Sequence, residues 1–297
     1  MKKNLSLTLL ALLLSSITVM AQEEDDLLNM LDDADSNRIT YTSATFKGTR
    51  LMNLPTIEVM GKNTLEFRIA HRFGDALTEN AGAQTILGLD GPVALELSFD
   101  YSLSDRLSLG ISRTNIQKVI SGNVKYRLLR QSTKNEIPVS VTYFGKANIT
   151  HEKNRDRLYD AFENRMSYVN HLIVARKFNS KLSLQLDVVH VHRNLVPLRA
   201  DKNSMFALAA SGRMKLTQRL ALTGEYVYRL GSYSPNQSNF FDHLGIGVDI
   251  ETGGHVFQLF VMNSFGINET QFIPNNDRDV SNGAVRFGFN VSRVFSL

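Results

Sequence analysis

Leu65-Glu66-Phe67-Arg68-Ile69-Ala70-His71-Arg72-Phe73 decides the fold. On an extended chain Leu65, Phe67, Ile69, His71 and Phe73 share one face, and Glu66, Arg68, Ala70 and Arg72 share the other. Val93 to Tyr101 repeats the pattern, with Val93, Leu95, Leu97, Phe99 and Tyr101 set against Ala94, Glu96, Ser98 and Asp100. Strict alternation of this kind marks a strand with one apolar face. Read outward from this stretch, the period of two runs to the C-terminus. It parses into twelve segments: 64–73, 93–102, 106–113, 122–130, 136–145, 166–178, 181–192, 204–215, 219–230, 242–250, 255–264 and 284–296. Most approach the ~9–11 residues that a tilted strand needs to cross a bilayer.

The connections alternate as well. Those after the even segments are short, and those after the odd ones are long (74–92, 145–165, 193–203, 231–241 and 265–283), with 114–121 the shortest of them. Short turns on one side and long loops on the other are the habit of outer-membrane barrels, whose turns face the periplasm. Three turns share a device: Ser104-Asp105-Arg106-Leu107-Ser108-Leu109, Asn179-Ser180-Lys181-Leu182-Ser183-Leu184 and Thr217-Gln218-Arg219-Leu220-Ala221-Leu222. Each has a polar pair, a base, then Leu-small-Leu. The base stands where a strand leaves the membrane edge, a suitable place for an interfacial charge.

Composition narrows the class further. The chain of 297 residues has no Cys, which removes disulfides, zinc ribbons, cysteine nucleophiles and a lipoprotein anchor. Residues 1–21 read as a secretory signal peptide, with Lys2 and Lys3 ahead of the apolar run Leu5 to Leu14 and small residues at Val19 and Ala21. Beyond it no run of 18 apolar residues offers a spanning helix. Residues 22–35 hold Glu23, Glu24, Asp25, Asp26, Asp32, Asp33 and Asp35 and no base. The remainder is basic, but its lysines and arginines are scattered and the leader directs the chain out of the cytoplasm, so no nucleic-acid partner is expected.

Alternation alone does not separate a membrane barrel from a soluble one. About twelve strands enclose a space too wide for wall side chains to fill. The polar face is rich in Gly, Ser, Ala, Thr and Gln, as a wet or plugged lumen would be. Tyr and Phe gather near segment ends, at Phe73, Tyr101, Tyr143, Tyr168, Tyr228 and Phe295, as interfacial girdles do. These points indicate an all-β, antiparallel transmembrane β-barrel of about twelve strands in the outer membrane, integral in lipid. The barrel covers 63–297, after an acidic periplasmic tail and lead-in at 22–62 that either packs inside as a plug or simply leads in.

Several stretches carry a family likeness. Ala44-Thr45-Phe46-Lys47-Gly48-Thr49-Arg50-Leu51, His71-Arg72-Phe73-Gly74, Gly88-Leu89-Asp90-Gly91, Lys125 to Gln131 and Val191 to Val196 resemble a family of outer-membrane β-barrel proteins from Bacteroidetes, the DUF5777 family. The resemblance spans nearly the whole mature chain. It implies the barrel and its location, and no activity.

The lumen face supplies the candidate site. By register it holds Arg68, Arg72, Lys125, Arg127, Arg229 and Arg286 against Glu66, Glu96, Asp100, Asp187, Glu225 and Asp249. Six bases and six acids can form a polar pathway that orients hydrophilic solutes. They can equally form a salt-bridged network that holds the barrel shut, because unpaired desolvated charges are costly. The first arrangement is a narrow pore for small polar solutes. The second is a closed scaffold for a periplasmic or outer-membrane protein partner.

Other signals are weaker. His190 and His192 could join a third ligand on a metal, but they continue the face of Leu184, Leu186 and Val188 and suit the lipid rim better. The charged loop 151–165 reads as a lid or as a solvated external loop. No cofactor is expected. A lipid-acting hydrolase needs a Ser and a His in contact. Ser183 and His190 stand over 20 Å apart along one strand by the ~3.4 Å rise per residue, and no catalytic motif appears.

Overall fold

The computed structural model describes residues 39–77 and 82–297. The leader at 1–21 and the acidic run at 22–35 lie outside the described residues. Twelve strands follow: β1 (Thr64–Asp75), β2 (Ala94–Ser102), β3 (Leu107–Thr114), β4 (Val119–Leu129), β5 (Ser140–Thr150), β6 (Met166–Lys177), β7 (Leu182–Arg193), β8 (Ser204–Lys215), β9 (Leu220–Leu230), β10 (His243–Thr252), β11 (His255–Met262) and β12 (Arg286–Ser296). Each pairs antiparallel with its neighbours in sequence, and β1 pairs with β12 to close the barrel. Leu65 stands between Tyr101 and Phe295 in that seam, and Leu297 N donates to Asn63 O. Closure leaves no unpaired edge, the condition for backbone to cross hydrocarbon.

Burial follows the alternation. Glu66, Arg68, Ala70 and Arg72 point inward and are buried, while Ile111, Leu186 and Ile246 on other strands point outward and expose 56%, 66% and 55% of their surface. Large apolar side chains left this bare in a ring around a charged interior face lipid, not water.

Most strand ends lie within about two residues of the sequence reading, and two strands depart further. The fifth strand is Ser140–Thr150 rather than 136–145. Pro138 has no N–H to give a ladder, and the chain before it folds back through a Ser132 N to Ile137 O bond of 2.9 Å. The fourth strand starts at Val119, so the third connection is a tight turn over 115–118 with Gln117 and Lys118 at φ 52° and 48°.

The repeated turn device is one hydrogen-bond pattern. Ser104 Oγ accepts from the amides of Arg106 and Leu107, Asn179 Oδ1 from Lys181 and Leu182, and Thr217 Oγ1 from Arg219 and Leu220. A short polar side chain that caps its own turn satisfies amides the ladder cannot reach. At the opposite end Gly88 sits at φ 85°, and a Cβ there would lie 2.5 Å from Gly74 O, so this contact between loop and β1 requires glycine.

The interior is filled. Thr49 to Thr56 make a small hairpin, closed by Leu51 N to Leu54 O (3.0 Å) and Thr56 N to Thr49 O (2.9 Å). Met52, Asn53, Leu54 and Thr56 have no exposed surface. From the loop side, an α-helical turn, α1 (Glu269–Phe272), enters the barrel fully buried, capped by Asn268. The inner wall is of two kinds. On the loop-side part of β6–β9, Val169, Val189, Val191, Ala207, Ala209 and Val227 pack against Leu54, Phe272 and Ile273. Much of the remaining wall carries the charges.

Candidate functional site: the filled lumen

All twelve charged residues read from the sequence fall on the inner face of their strands. What they pair with is less regular. Arg68 and Glu96, on adjacent strands, pair directly at 2.9 Å. Most of the others bond to the hairpin or the loops rather than to each other, because the wide barrel keeps opposite walls apart and the intruding segment supplies the nearer partners.

Glu225 on β9 grips the hairpin tip. Its carboxylate accepts from three consecutive amides, Met52 N (3.2 Å), Asn53 N (2.8 Å) and Leu54 N (3.2 Å), and from His243 Nε2 (2.8 Å). Successive backbone amides aimed at one carboxylate form an anion nest. Arg72 holds the same tip through its carbonyls and amide: its Nη2 donates to Met52 O (3.2 Å) and Asn53 Oδ1 (2.7 Å), and its guanidinium lies 4.4 Å from the Phe260 ring centroid. The hairpin tip is thus held as a dipole, with its amides on an acid and its carbonyl on a base.

Farther along the hairpin, Lys125 Nζ donates to Thr49 O (2.8 Å) and Glu58 O (3.2 Å), and Glu66 accepts from Thr49 Oγ1. Arg127 donates to Glu58 Oε2 (3.2 Å) and Val59 O (3.0 Å). Asp187 meets His171 at 3.3 Å, and Asp249 accepts from Gln258 at 3.1 Å. Asp100 accepts from Asn123 at 3.2 Å. Arg229 and Arg286 sit toward the loops and pair with Asp242 (2.9 Å) and Asp75 (2.7 Å).

One buried charge cluster escaped the sequence reading. Glu269 of α1 binds Arg50 of the hairpin at 2.7 Å and Lys146 of β5 at 2.9 Å, and all three are buried. Burial opposes the Glu269 charge, but Arg50, Lys146 and His171 outweigh it and hold the carboxyl far below its usual range. Burial lowers Arg50, but Glu269, Glu96 and Asp100 together outweigh it and hold the guanidinium above its usual range. Glu269 lies in a loop without any period, and Lys146 lies one residue past the expected end of the fifth strand. Only Arg213, which alternation from Met205 places inward, carried a signal; it bonds to Glu251 and lies 3.7 Å from Asp249.

Polar recesses remain at both ends. One of about 260 Å³ on the turn side is lined by Thr42, Glu58, Asp105, Arg127 and Arg130. Two of about 250 and 260 Å³ lie on the loop side. Between them runs the layer of Leu51, Met52, Asn53, Leu54 and Glu269, each at most 1% exposed.

The family model described as a membrane bound beta barrel domain (DUF5777) matches residues 46–295. The chain belongs to this family. The match begins at Phe46, inside the hairpin-bearing segment, so the family's domain takes in most of the lumen filling along with the wall. A membrane-bound barrel of this kind resides in the outer membrane, with lipid against its apolar exterior. Among curated proteins none matches the chain in sequence. Three solved structures are distantly similar. The NanC porin is 9% identical, with 78% of this chain and 99% of that chain covered and a TM-score of 0.45. The KdgM porin is 10% identical, with 78% and 99% covered and a TM-score of 0.46. An outer membrane channel from Pseudomonas putida F1 is 13% identical, with 80% and 98% covered and a TM-score of 0.47.

His190 and His192 lie outward, against Phe206 and Tyr168, with ring centroids 4.9 and 6.2 Å apart. Among the described residues no cluster of three metal-ligating side chains occurs. Ser183 is buried on the inner face while His190 is on the outer, so this Ser and His do not meet.

Proposed function

We propose that the protein is an outer-membrane channel for small polar solutes that is closed at rest by its own segment 42–62. One observation carries this reading. Outside its apolar sectors the lumen is walled by charged and amide side chains and ends in a polar recess on each side, yet its middle is stopped by a hairpin that belongs to no strand of the wall. Removing that hairpin would break no barrel pairing. The polar wall groups that hold it are carboxylates, guanidiniums, an ammonium and amides, which water can satisfy in its place, while Leu54, Leu51 and Ile57 pack on apolar wall side chains.

The closure is firm. Phe46, Leu51, Met52, Leu54 and Ile57 are buried apolar side chains of the segment. At about 1.5–3 kcal/mol each, exposing all five costs roughly 7–15 kcal/mol before any ion pair is counted. Thermal motion does not open such a plug, so passage requires a partner, a force or a bound solute. The same firmness favours a second reading, a permanently closed scaffold that binds a protein partner.

Planar-bilayer recording separates the two. The intact protein is expected to be silent, and a variant lacking residues 42–58 is expected to conduct in steady single-channel steps. A deletion variant that folds, as judged by heat-modifiable gel mobility, and stays silent would favour the scaffold. Steady conductance from the intact protein would show that the segment does not close the lumen.

A further inference from the structure

Most lumen arginines have an acidic partner: Arg50 has Glu269, Arg68 has Glu96, Arg127 has Glu58, Arg213 has Glu251, Arg229 has Asp242, and Arg286 has Asp75. Arg72 is instead satisfied by the hairpin tip and Asn290, and two further arginines, at the loop-side mouth, also lack an acid. Arg165, just before β6, donates from Nη1 to the carbonyls of Thr150 (3.1 Å) and Glu152 (3.0 Å), and its guanidinium lies 4.6 Å from the Tyr159 ring centroid. Arg193, at the end of β7, reaches the side-chain amide of Asn275 at 3.4 Å. Both are half-buried, and among the described residues neither forms an ion pair with a carboxylate. Asp201 acts on Arg193 only through space, while one of its oxygens caps Leu198 N at 3.1 Å.

Both arginines line one cavity of about 250 Å³, together with Thr150, Ser167, Thr270 and Asn275. No acidic side chain lines it. Arg193, Thr150 and Ser167 stand on the inner face of their strands, so the cavity opens within the mouth and not toward lipid. Two half-buried guanidiniums facing one cavity with no acidic side chain in its lining suit an anion, to which charge-assisted bonds are strong. The guanidinium fork matches carboxylate and phosphate oxygens. The volume falls just under the ~300–1,000 Å³ of pockets for drug-sized ligands, so the occupant is small. The hydroxyls of Thr150, Ser167 and Thr270 and the amide of Asn275 suit a hydroxylated body.

We infer that this vestibule is a binding site for a small hydroxylated organic anion, its carboxylate or phosphate held between Arg165 and Arg193. The inference deepens the channel reading by naming the solute class that the external mouth would select. Its test does not depend on conductance.

Isothermal titration of the detergent-solubilised full chain with glucuronate, glucose 6-phosphate and glucose reads the site directly. The two anions are expected to bind, and glucose to bind about tenfold or more weakly, as loss of a charge-assisted pair implies. The ratio between the anions tells carboxylate from phosphate preference. Arg165→Gln and Arg193→Gln are each expected to weaken the better anion about tenfold. Arg155→Gln, in the exposed part of the same loop, is expected to leave it unchanged. Asn275→Asp removes no contact volume and supplies the missing counter-charge in place, so it is expected to abolish binding. Equal binding of glucose and the anions, undiminished binding in both Arg193→Gln and Asn275→Asp, or no binding of either anion at millimolar concentration would each overturn the inference. A folded variant lacking 42–58 that stays silent in the bilayer, alongside anion binding by the full chain, would count against the channel reading alone.

Discussion

The two kinds of inner wall fill the same space by different physics. On the loop-side part of β6–β9, Val189, Val191, Ala207, Ala209 and Val227 meet Leu54, Phe272 and Ile273 in a dry contact. Elsewhere, Glu225, Arg72 and Lys125 hold the hairpin by its own backbone groups. The dry contact is indifferent to pH and salt and gains nothing from water. The charged wall holds as tightly while closed, but each of its groups can exchange its partner for water. The apolar sector therefore anchors the filling, and in the proposed channel the charged sector is the side along which a path would open.

The largest effect should come from the charge cluster. Glu269→Gln leaves Arg50 and Lys146 buried without their acid, which costs about 3–5 kcal/mol. Guanidinium unfolding in detergent measures it as a lowered midpoint. The Glu269 carboxyl is depressed on folding, so its contribution is fully present above the ordinary carboxylate range, ~4.3 for Glu, and is lost only as pH falls through the lower folded value. The difference between variant and wild type should accordingly stay constant from neutral pH down to about 5. A difference that shrinks across that window would mean the cluster is wet.

Next comes the apolar counterpart. Ile273→Ala opens a cavity in the dry contact and should cost about 2–5 kcal/mol at every pH. Unfolding at two pH values checks this, and a pH-dependent loss would erase the distinction between the sectors. Glu225→Gln keeps the shape but weakens three charge-assisted bonds to the hairpin tip, about 1.5–3 kcal/mol. Protease accessibility of 42–62 should rise while the barrel keeps its gel mobility; unaltered accessibility would show that the tip is held by packing alone. The smallest effect lies outside both sectors. Asn179→Ala removes the turn acceptor for Lys181 and Leu182, about 0.5–1.5 kcal/mol, and should leave plug accessibility untouched.

Much of this was legible in the chain. Alternation from Leu65 onward places the apolar residues outside and the twelve named charges inside, and polar turn residues set the hairpins. Alternation gave no warning of the dry sector. At Val188-Val189 and Ala209-Ala210 both faces are apolar, so the period fades where the inner wall stops being polar. Nor did it reach Glu269, Arg50 and Arg165, which sit in segments with no period, or Arg193, one residue past the expected end of the seventh segment.

A strand's pleat is a local property, so a single sequence fixes which side chains face lipid and which face the axis. The choice of partner across the lumen is not local. Arg50 and Glu269 lie 219 positions apart. Their meeting depends on barrel diameter, on strand register and on the entry of two separate segments into one space. The wall was therefore written in the period of two, while the filling, the closure and the mouth were decided only when the barrel shut around them.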